Sequence, residues 1–463
     1  MKYFILSFLS ALICCQPSDE KTTKNMQSDP HSFSEPDKAK VTHLRWDAEV
    51  DFDRKKIVAT AEWDIQFKAG IKEIVLDTKG LLIREIRLNN AEQTEFNLEK
   101  ADSLLGQALR IPIHDDTKSI TISYETQDGA EALQWLQPHQ TAGEKQPFLF
   151  TQSQAILARS WIPCQDSPGI RFTYEANVTV PKDLLALMSA SNPQSKNETG
   201  SYQFEMKQPI PSYLLALAVG DVEFAQVSNR AGIYAERSVL DSAVWEFADL
   251  EKMIHGAEEL YGAYLWERYD VLVLPPSFPF GGMENPRLTF ATPSILAGDR
   301  SLTSLIAHEL AHSWSGNLVT NRTWNDFWLN EGFTVYFEHR IMEKLYGRDY
   351  AEMLALLSLQ DLRETIQSLK DENLYADTKL ELDLAGRNPD DGVTDIAYNK
   401  GYFFLRLFEE RYGRERFDSF LKHYFSSNAF KSLGTQNFID DITTYYQDSF
   451  KISLNDTLFN QWI

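Results

Sequence analysis

The sequence predicts a multidomain α+β protein, rich in strands over its first half and largely helical over its second. Three observations carry this. At 463 residues the chain exceeds what one core organises, and two or three domains are expected. Between residues 41 and 222, VDFDRKKIVATAEWDIQF, SITISYET, FTYEANVTV and GSYQFEMKQ alternate apolar and polar positions, the period of half-buried strands. After Gly220-Asp221 the period lengthens: DSAVWEFADLEKMIHGAEELYGAYL has helical spacing, YDVLVLP reads as a buried strand, and helices dominate from about residue 300. With 43% hydrophobic and 24% charged residues, the composition is that of an ordinary globular chain.

Taken in order, Lys2 precedes the apolar run YFILSFLSALICC, which is too short for an ordinary membrane span and reads as a targeting segment. Leu12-Ile13-Cys14-Cys15 resembles a bacterial lipobox, with cleavage before Cys15 and lipid on its sulfur; Cys14 departs from the small residue usual before the cut. Residues 1–15 are therefore expected to be a lipoprotein-type signal peptide. An exported protein anchored in a bacterial envelope and facing the periplasm follows, with a secretory signal lacking lipid as the alternative. Residues 16–40 are polar and are expected to form a disordered tether. An antiparallel sheet domain is expected over 41–222, and a second domain over 223–463.

The net charge of -22 disfavours nucleic acid and anionic lipid as partners, leaving the lipid anchor as the one expected membrane contact; it suits a site that accepts amines. Of 3 Cys, only Cys164 lies beyond the targeting segment. It is expected to be a buried structural thiol, and no intramolecular disulfide framework is available. Oligomeric state is not legible.

The chemistry lies in His308-Glu309-Leu310-Ala311-His312, followed by Asn330-Glu331-Gly332. Two His four apart share one helix face, so both imidazoles reach one metal ion. Zinc is the expected metal, one per chain: His308, His312 and Glu331 give three ligands and leave a position for water. Glu309 lies beside that water as general base. Leu302, Leu305, Ile306 and Leu310 recur at helical spacing, so the helix is expected to be buried, where polar groups need partners.

The segment from Pro279 to Glu338 closely resembles the M1 aminopeptidases, and within them the leukotriene-A4 hydrolase and aminopeptidase B branch. Gly281-Gly282-Met283-Glu284-Asn285 matches the family's GxMEN exopeptidase motif, the zinc motif follows, and Tyr398-Asn399-Lys400-Gly401 is similar to the stretch bearing its catalytic Tyr. The similarity extends to Thr151–Pro168 and covers most of the chain from about residue 40. It implies an N-terminal β-saddle followed by a thermolysin-like, mostly helical catalytic domain; the family's C-terminal helical domain has no counterpart before Ile463. It also implies that Tyr398 stabilises the oxyanion, that Glu284 binds the substrate ammonium, that Gly281, Gly282 and Met283 line the substrate, and that Gln154, with Gln152 as a weaker candidate, contacts the same end. Glu338 is a candidate for orienting a zinc ligand. Asp390 matches a branch Asp tied to epoxide opening and to selection of basic side chains, while Val393 replaces an aromatic of that branch.

The expected function is a zinc metalloaminopeptidase acting on peptides with free N-termini. The alternatives are a non-catalytic, zinc-containing peptide-binding lipoprotein and a bifunctional enzyme with epoxide hydrolase activity.

Overall fold

A hairpin opens the fold. Strands Ala39–Asp51 and Lys56–Phe67 pair antiparallel, burying Val41, Leu44, Trp46, Ala48 and Val50 from the first and Ala59, Ala61, Trp63 and Ile65 from the second. The period-two burial is what one core-facing side of a sheet imposes. A bulge between Val41 and His43 resets the register, which is why the buried set steps from Val41 to Leu44. The computed structural model, which describes residues 29–463, extends this hairpin into a seven-stranded sheet. Its order is Ser201–Pro211, Arg171–Thr179, Ala39–Asp51, Lys56–Phe67, Ser119–Glu125, Leu82–Leu88, Glu92–Gln93. The expectation of a wholly antiparallel sheet fails at one place: Ala39–Asp51 and Arg171–Thr179 run parallel. Alternation within a strand carries no information about the direction of a partner more than a hundred residues away. A four-stranded sheet, ordered Leu185–Met188, Leu217–Gly220, Phe148–Thr151, Leu133–Leu136, interleaves with it in sequence, since Arg171–Thr179 and Ser201–Pro211 of the larger sheet fall between its strands.

The second half begins with a five-stranded sheet ordered Val222–Gln226, Ala231–Glu236, Tyr269–Val273, Thr289–Ala291, Gly282–Met283. All five residues of Tyr269–Val273 are buried, as YDVLVLP predicts. Helices Arg237–Glu246 and Leu250–Tyr261 precede that strand. Helices α1 (Ser304–Ala311), α2 (Trp328–Tyr346), α3 (Arg348–Asp371) and α4 (Gly401–Tyr412) then build the region around the site. Within α1, Ile306 and Leu310 are fully buried, but Leu302 lies in the preceding turn and is 46% exposed, so the apolar stripe is shorter than its spacing implies. Most of α2 is buried, with Trp328 and Phe333 packing edge-on against Phe438.

The expected tether is corrected from residue 29 onward. His31 is fully buried, Ser34 is nearly so, and Asp77 accepts hydrogen bonds from Phe33 N at 2.7 Å and Ser32 Oγ at 2.5 Å. A polar segment lacking apolar groups predicts disorder, yet here polar groups are held by buried polar partners. The targeting segment, residues 1–15, and residues 16–28 lie outside the described residues. Cys164 is a free, buried thiol, as expected.

Candidate active site

The edge strand Gly282–Met283 lies against α1, whose buried face it covers. A Cβ on Gly282 would fall on the Glu309 carboxylate, so only glycine lets the strand approach this closely. Gly281 lies close to the Leu305 side chain for the same reason. Two further glycines set the opposite wall. Gly332 of α2 and Gly401 of α4 face each other so closely that a Cβ on Gly332 would come within 2.7 Å of the Gly401 Cα. This contact brings Glu331, one residue before Gly332, beside Tyr398, which sits in a single turn of π-helix, Ile396–Lys400, leading into α4.

His308, His312 and Glu331 converge. The two Nε2 atoms lie 3.3 and 3.5 Å from Glu331 Oε2. Each imidazole is oriented by its other nitrogen. His308 Nδ1 lies 3.1 Å from Glu338 Oε2, and His312 Nδ1 lies 2.9 Å from the Ser315 carbonyl, where Thr334 Oγ1 also approaches at 3.1 Å. A carbonyl can only accept, so His312 Nδ1 carries a hydrogen, and Nε2 is the nitrogen that faces Glu331 and is left for a metal ion. Among the described residues Glu331 Oε2 has no hydrogen-bond partner, nor do Glu309 Oε2 and Glu284 Oε1. Three nearly buried carboxylates with orphaned oxygens around two imidazole Nε2 atoms are a donor set for a cation, whose place protons take in its absence. Electrostatics agree. Although burial opposes it, the Glu284 and Glu331 carboxylates push His312 up to about 9. Burial likewise opposes His308, but Glu331 and Glu338 hold it well above its ordinary value. Against burial, the two histidines hold Glu331 down at about 2. Glu309 behaves differently: burial pushes it up to about 8, the range of a group that takes and returns protons near neutral pH.

The cluster forms the floor of a cavity of about 660 Å³. Gln152, Gln154, Gly281, Gly282, Met283, Glu284 and Asp390 all reach it, with Tyr398, so every site residue read from the sequence lines one space. Glu284 is 4% exposed; its carbonyl accepts from Asn317 Nδ2 at 2.8 Å. A second triad of Glu284, Glu309 and His312 has its ligating atoms within 4.8 Å of one another. Gln152 Nε2 donates to Met283 Sδ at 3.2 Å. Burial, together with the Glu331, Glu284 and Glu309 charges, holds the Tyr398 phenol well above its ordinary pKa, so it keeps its proton; the ring stacks with His308, centroids 6.1 Å apart. Asp390 belongs to the short turn Pro389–Gly392, capped by Asn388, and burial raises its carboxyl. Sequence reasoning missed Ser315 and Thr334, which fix the His312 ring, and Phe280 and Leu305, which add apolar wall. Nothing in local sequence marks a backbone carbonyl as a partner for a distant imidazole.

Two family models match the chain: the peptidase M1 N-terminal domain over residues 40–214 and the peptidase family M1 domain over residues 245–462. Leukotriene A-4 hydrolase of Xenopus laevis is 42% identical over 437 residues, covering 92% of this chain and 71% of that protein. Leucine aminopeptidase 2 of Yarrowia lipolytica is 40% identical, covering 93% of this chain and 67% of that protein. Among solved structures, yeast LTA4 hydrolase in complex with bestatin superposes with a TM-score of 0.88 at 37% identity, covering 93% of this chain and 68% of that one. These findings correct the expected location. The relatives are leukotriene A-4 hydrolase and leucine aminopeptidase 2, so the exported, membrane-anchored lipoprotein is not retained; no helix among the described residues is long and apolar enough to cross a membrane. A short apolar run ending in Cys is a weak signal beside similarity over nine-tenths of a chain. With its two-part match, its relatives and its β-rich domain joined to a helical, hydrolytic one, this chain belongs to peptidase family M1.

Proposed function

We propose that the protein is a zinc-dependent aminopeptidase that removes residues from peptides bearing a free N-terminus. The observation that carries this is Glu284: a buried carboxylate with an unpartnered oxygen, set beside the His308–His312–Glu331 cluster at the floor of one cavity. A buried anion without a partner is costly, and a substrate ammonium offsets that cost. Because Glu284 lies so close to the cluster, only the first peptide bond reaches it.

His308, His312 and Glu331 would hold one zinc ion, which when bound polarises a carbonyl and acidifies water. Glu309 takes the proton of the attacking water and returns it to the leaving amine; its raised pKa suits both directions. Tyr398, protonated throughout, donates its hydroxyl hydrogen to the oxyanion of the tetrahedral intermediate. Gly282–Met283 lies at a sheet edge, so its outer backbone groups are free to pair with an extended substrate. Gln152, Gln154 and Asp390 line the same cavity; on this reading the two glutamines contact the amino end of the substrate and Asp390 faces its first side chain.

A structural metal in a non-catalytic binder needs neither Glu309 nor Tyr398, and both lie at the cluster. Epoxide opening needs no ammonium pocket, so the orphaned Glu284 favours the peptidase. The test is hydrolysis of a panel of aminoacyl amides by zinc-loaded protein with and without chelator, alongside matched free and acetylated peptides. Chelator-sensitive cleavage of free N-termini alone is expected; equal rates on acetylated peptides would overturn the reading.

A further inference from the structure

Residues 29–34 link the N-terminal domain to the wall of the catalytic cavity. On one side they are anchored to buried charge. Asp77 accepts from Ser32 and Phe33, the His31 carbonyl accepts from Arg159 Nη2 at 2.6 Å, and Asp29 Oδ2 accepts from Ser167 Oγ at 2.5 Å. Arg159 in turn pairs with Asp166 at 3.0 Å, both essentially unexposed. On the other side, the His31 imidazole crosses to a stretch 353 residues away. Its Nε2 lies 3.0 Å from the Leu384 carbonyl and 3.1 Å from the Arg387 carbonyl. Both partners are acceptors, so Nε2 carries the hydrogen and shares it between them.

The contacted stretch is a tight turn. Arg387 N donates to the Leu384 carbonyl at 3.0 Å, and Gly386 within it has φ +75°. One N–H therefore clasps both ends of a four-residue turn. Three residues beyond the turn comes Asp390, and then Val393, both on the cavity wall. From Lys379 to Asn388 no helix or strand holds this segment. Besides His31 it is held by the buried side chains of Leu380 and Leu384, by Asn325, which engages Leu382 and Leu384, and by ion pairs of Arg387 with Asp377 and Asp391; of these, only His31 ties the turn to the strap.

We infer that His31 is a positioning residue: the strap of residues 29–34 sets the Leu384–Arg387 turn, and through it the place of Asp390 and Val393 in the substrate cavity. Binding of the first residue of a peptide then depends on an imidazole that never touches it. This rests on the aminopeptidase reading, but it concerns KM and not the chemical step, because the cluster and Tyr398 are held by α1, α2 and the α4 junction.

The test compares zinc-loaded wild-type protein with His31→Leu, which keeps apolar bulk but removes the donor, and His31→Gln, which restores an N–H. His31→Leu is expected to raise KM for peptide substrates about three- to tenfold with kcat within about twofold, and to speed amide exchange over residues 384–393; His31→Gln should recover most of the KM. Unchanged KM in folded His31→Leu, or an equal fall in kcat, would overturn the inference. Should His31→Leu not fold, Gly386→Ala reads the same turn from its exposed side. An added Cβ there meets nothing within 4 Å, so it strains only the backbone, and a KM left unchanged would sink the proposal. If wild-type protein shows no chelator-sensitive cleavage, the functional reading fails instead, while amide exchange still reports whether the strap holds the turn.

Discussion

One cluster of buried charge in each half of the molecule can be set side by side, and the two are built on opposite rules. In the N-terminal domain, Arg159 donates to Asp166 and to the carbonyls of Leu105 and His31, Asp166 also accepts from Ser212, and Asp77 accepts from the strap and from the Asp166 amide. In the catalytic domain, Glu284, Glu309 and Glu331 each keep an oxygen without a partner among the described residues. Full pairing is architecture: removing any member strands the others. Incomplete pairing leaves room for something that arrives, and under the proposed function the missing partners are both positive, a metal cation and a substrate ammonium.

The comparison breaks or sharpens under five measurements. Glu309→Gln should lower kcat by about 10²–10⁴-fold while zinc stays bound at one per chain, because this carboxylate works on protons and is not needed to hold the ion. Loss of zinc from that variant, by metal analysis, would move Glu309 from proton carrier to ligand. Tyr398→Phe should cost about 2.7–4 kcal/mol of transition-state stabilisation, read as a fall in kcat with KM little changed; a change in KM alone would make Tyr398 a positioning group.

Asp166→Asn should destabilise the fold by about 3–5 kcal/mol in denaturant unfolding and leave the remaining folded enzyme active, because it removes the carboxylate that is hydrogen-bonded to buried Arg159 and leaves only Asp77 as countercharge. Glu284→Gln should do the reverse, leaving metal-free stability equal or higher while KM for free N-termini rises. If the two substitutions destabilise alike, the distinction between paired and unpaired charge fails.

The smallest effect is a pH dependence. In metal-free protein, Glu309 is raised to about 8 and His312 to about 9, so the folded state binds more protons than the unfolded state between about pH 4.5 and 9. Stability of the metal-free form should fall as pH rises across that window, and the gap in Tm between zinc-loaded and metal-free protein should widen by a few degrees. A gap that narrows would mean that these groups are not where zinc binds.

Much of the site was legible because its motifs are local. His308, Glu309 and His312 lie within about one turn of helix, so spacing alone predicts their company, whereas Gly281 to Glu284 and Tyr398 are placed at the site only by the resemblance to the M1 family. What escaped is what distant segments supply. Ser315 and Thr334 fix a ring through a carbonyl and a hydroxyl that any sequence offers in abundance. Arg159 and Asp166 sit in a stretch whose resemblance was plain, yet nothing local says that they pair with each other and with Asp77. The parallel pairing of Ala39–Asp51 with Arg171–Thr179 is topology, which alternation does not encode. Asp29 to Ser34 read as tether because composition counts apolar groups and not available partners.

The backbone contact between Gly332 and Gly401 has one more consequence. Side chains at a helix crossing repack, and the helices then settle at a new separation. Two glycines in contact leave nothing to repack. Glu331 and Tyr398 ride one residue and three residues from this bare crossing, so the spacing between a metal ligand and a hydroxyl donor is gauged by main chain alone. Substitutions elsewhere in the helical core can soften the protein without shifting that spacing, whereas a single methyl at either glycine resets it.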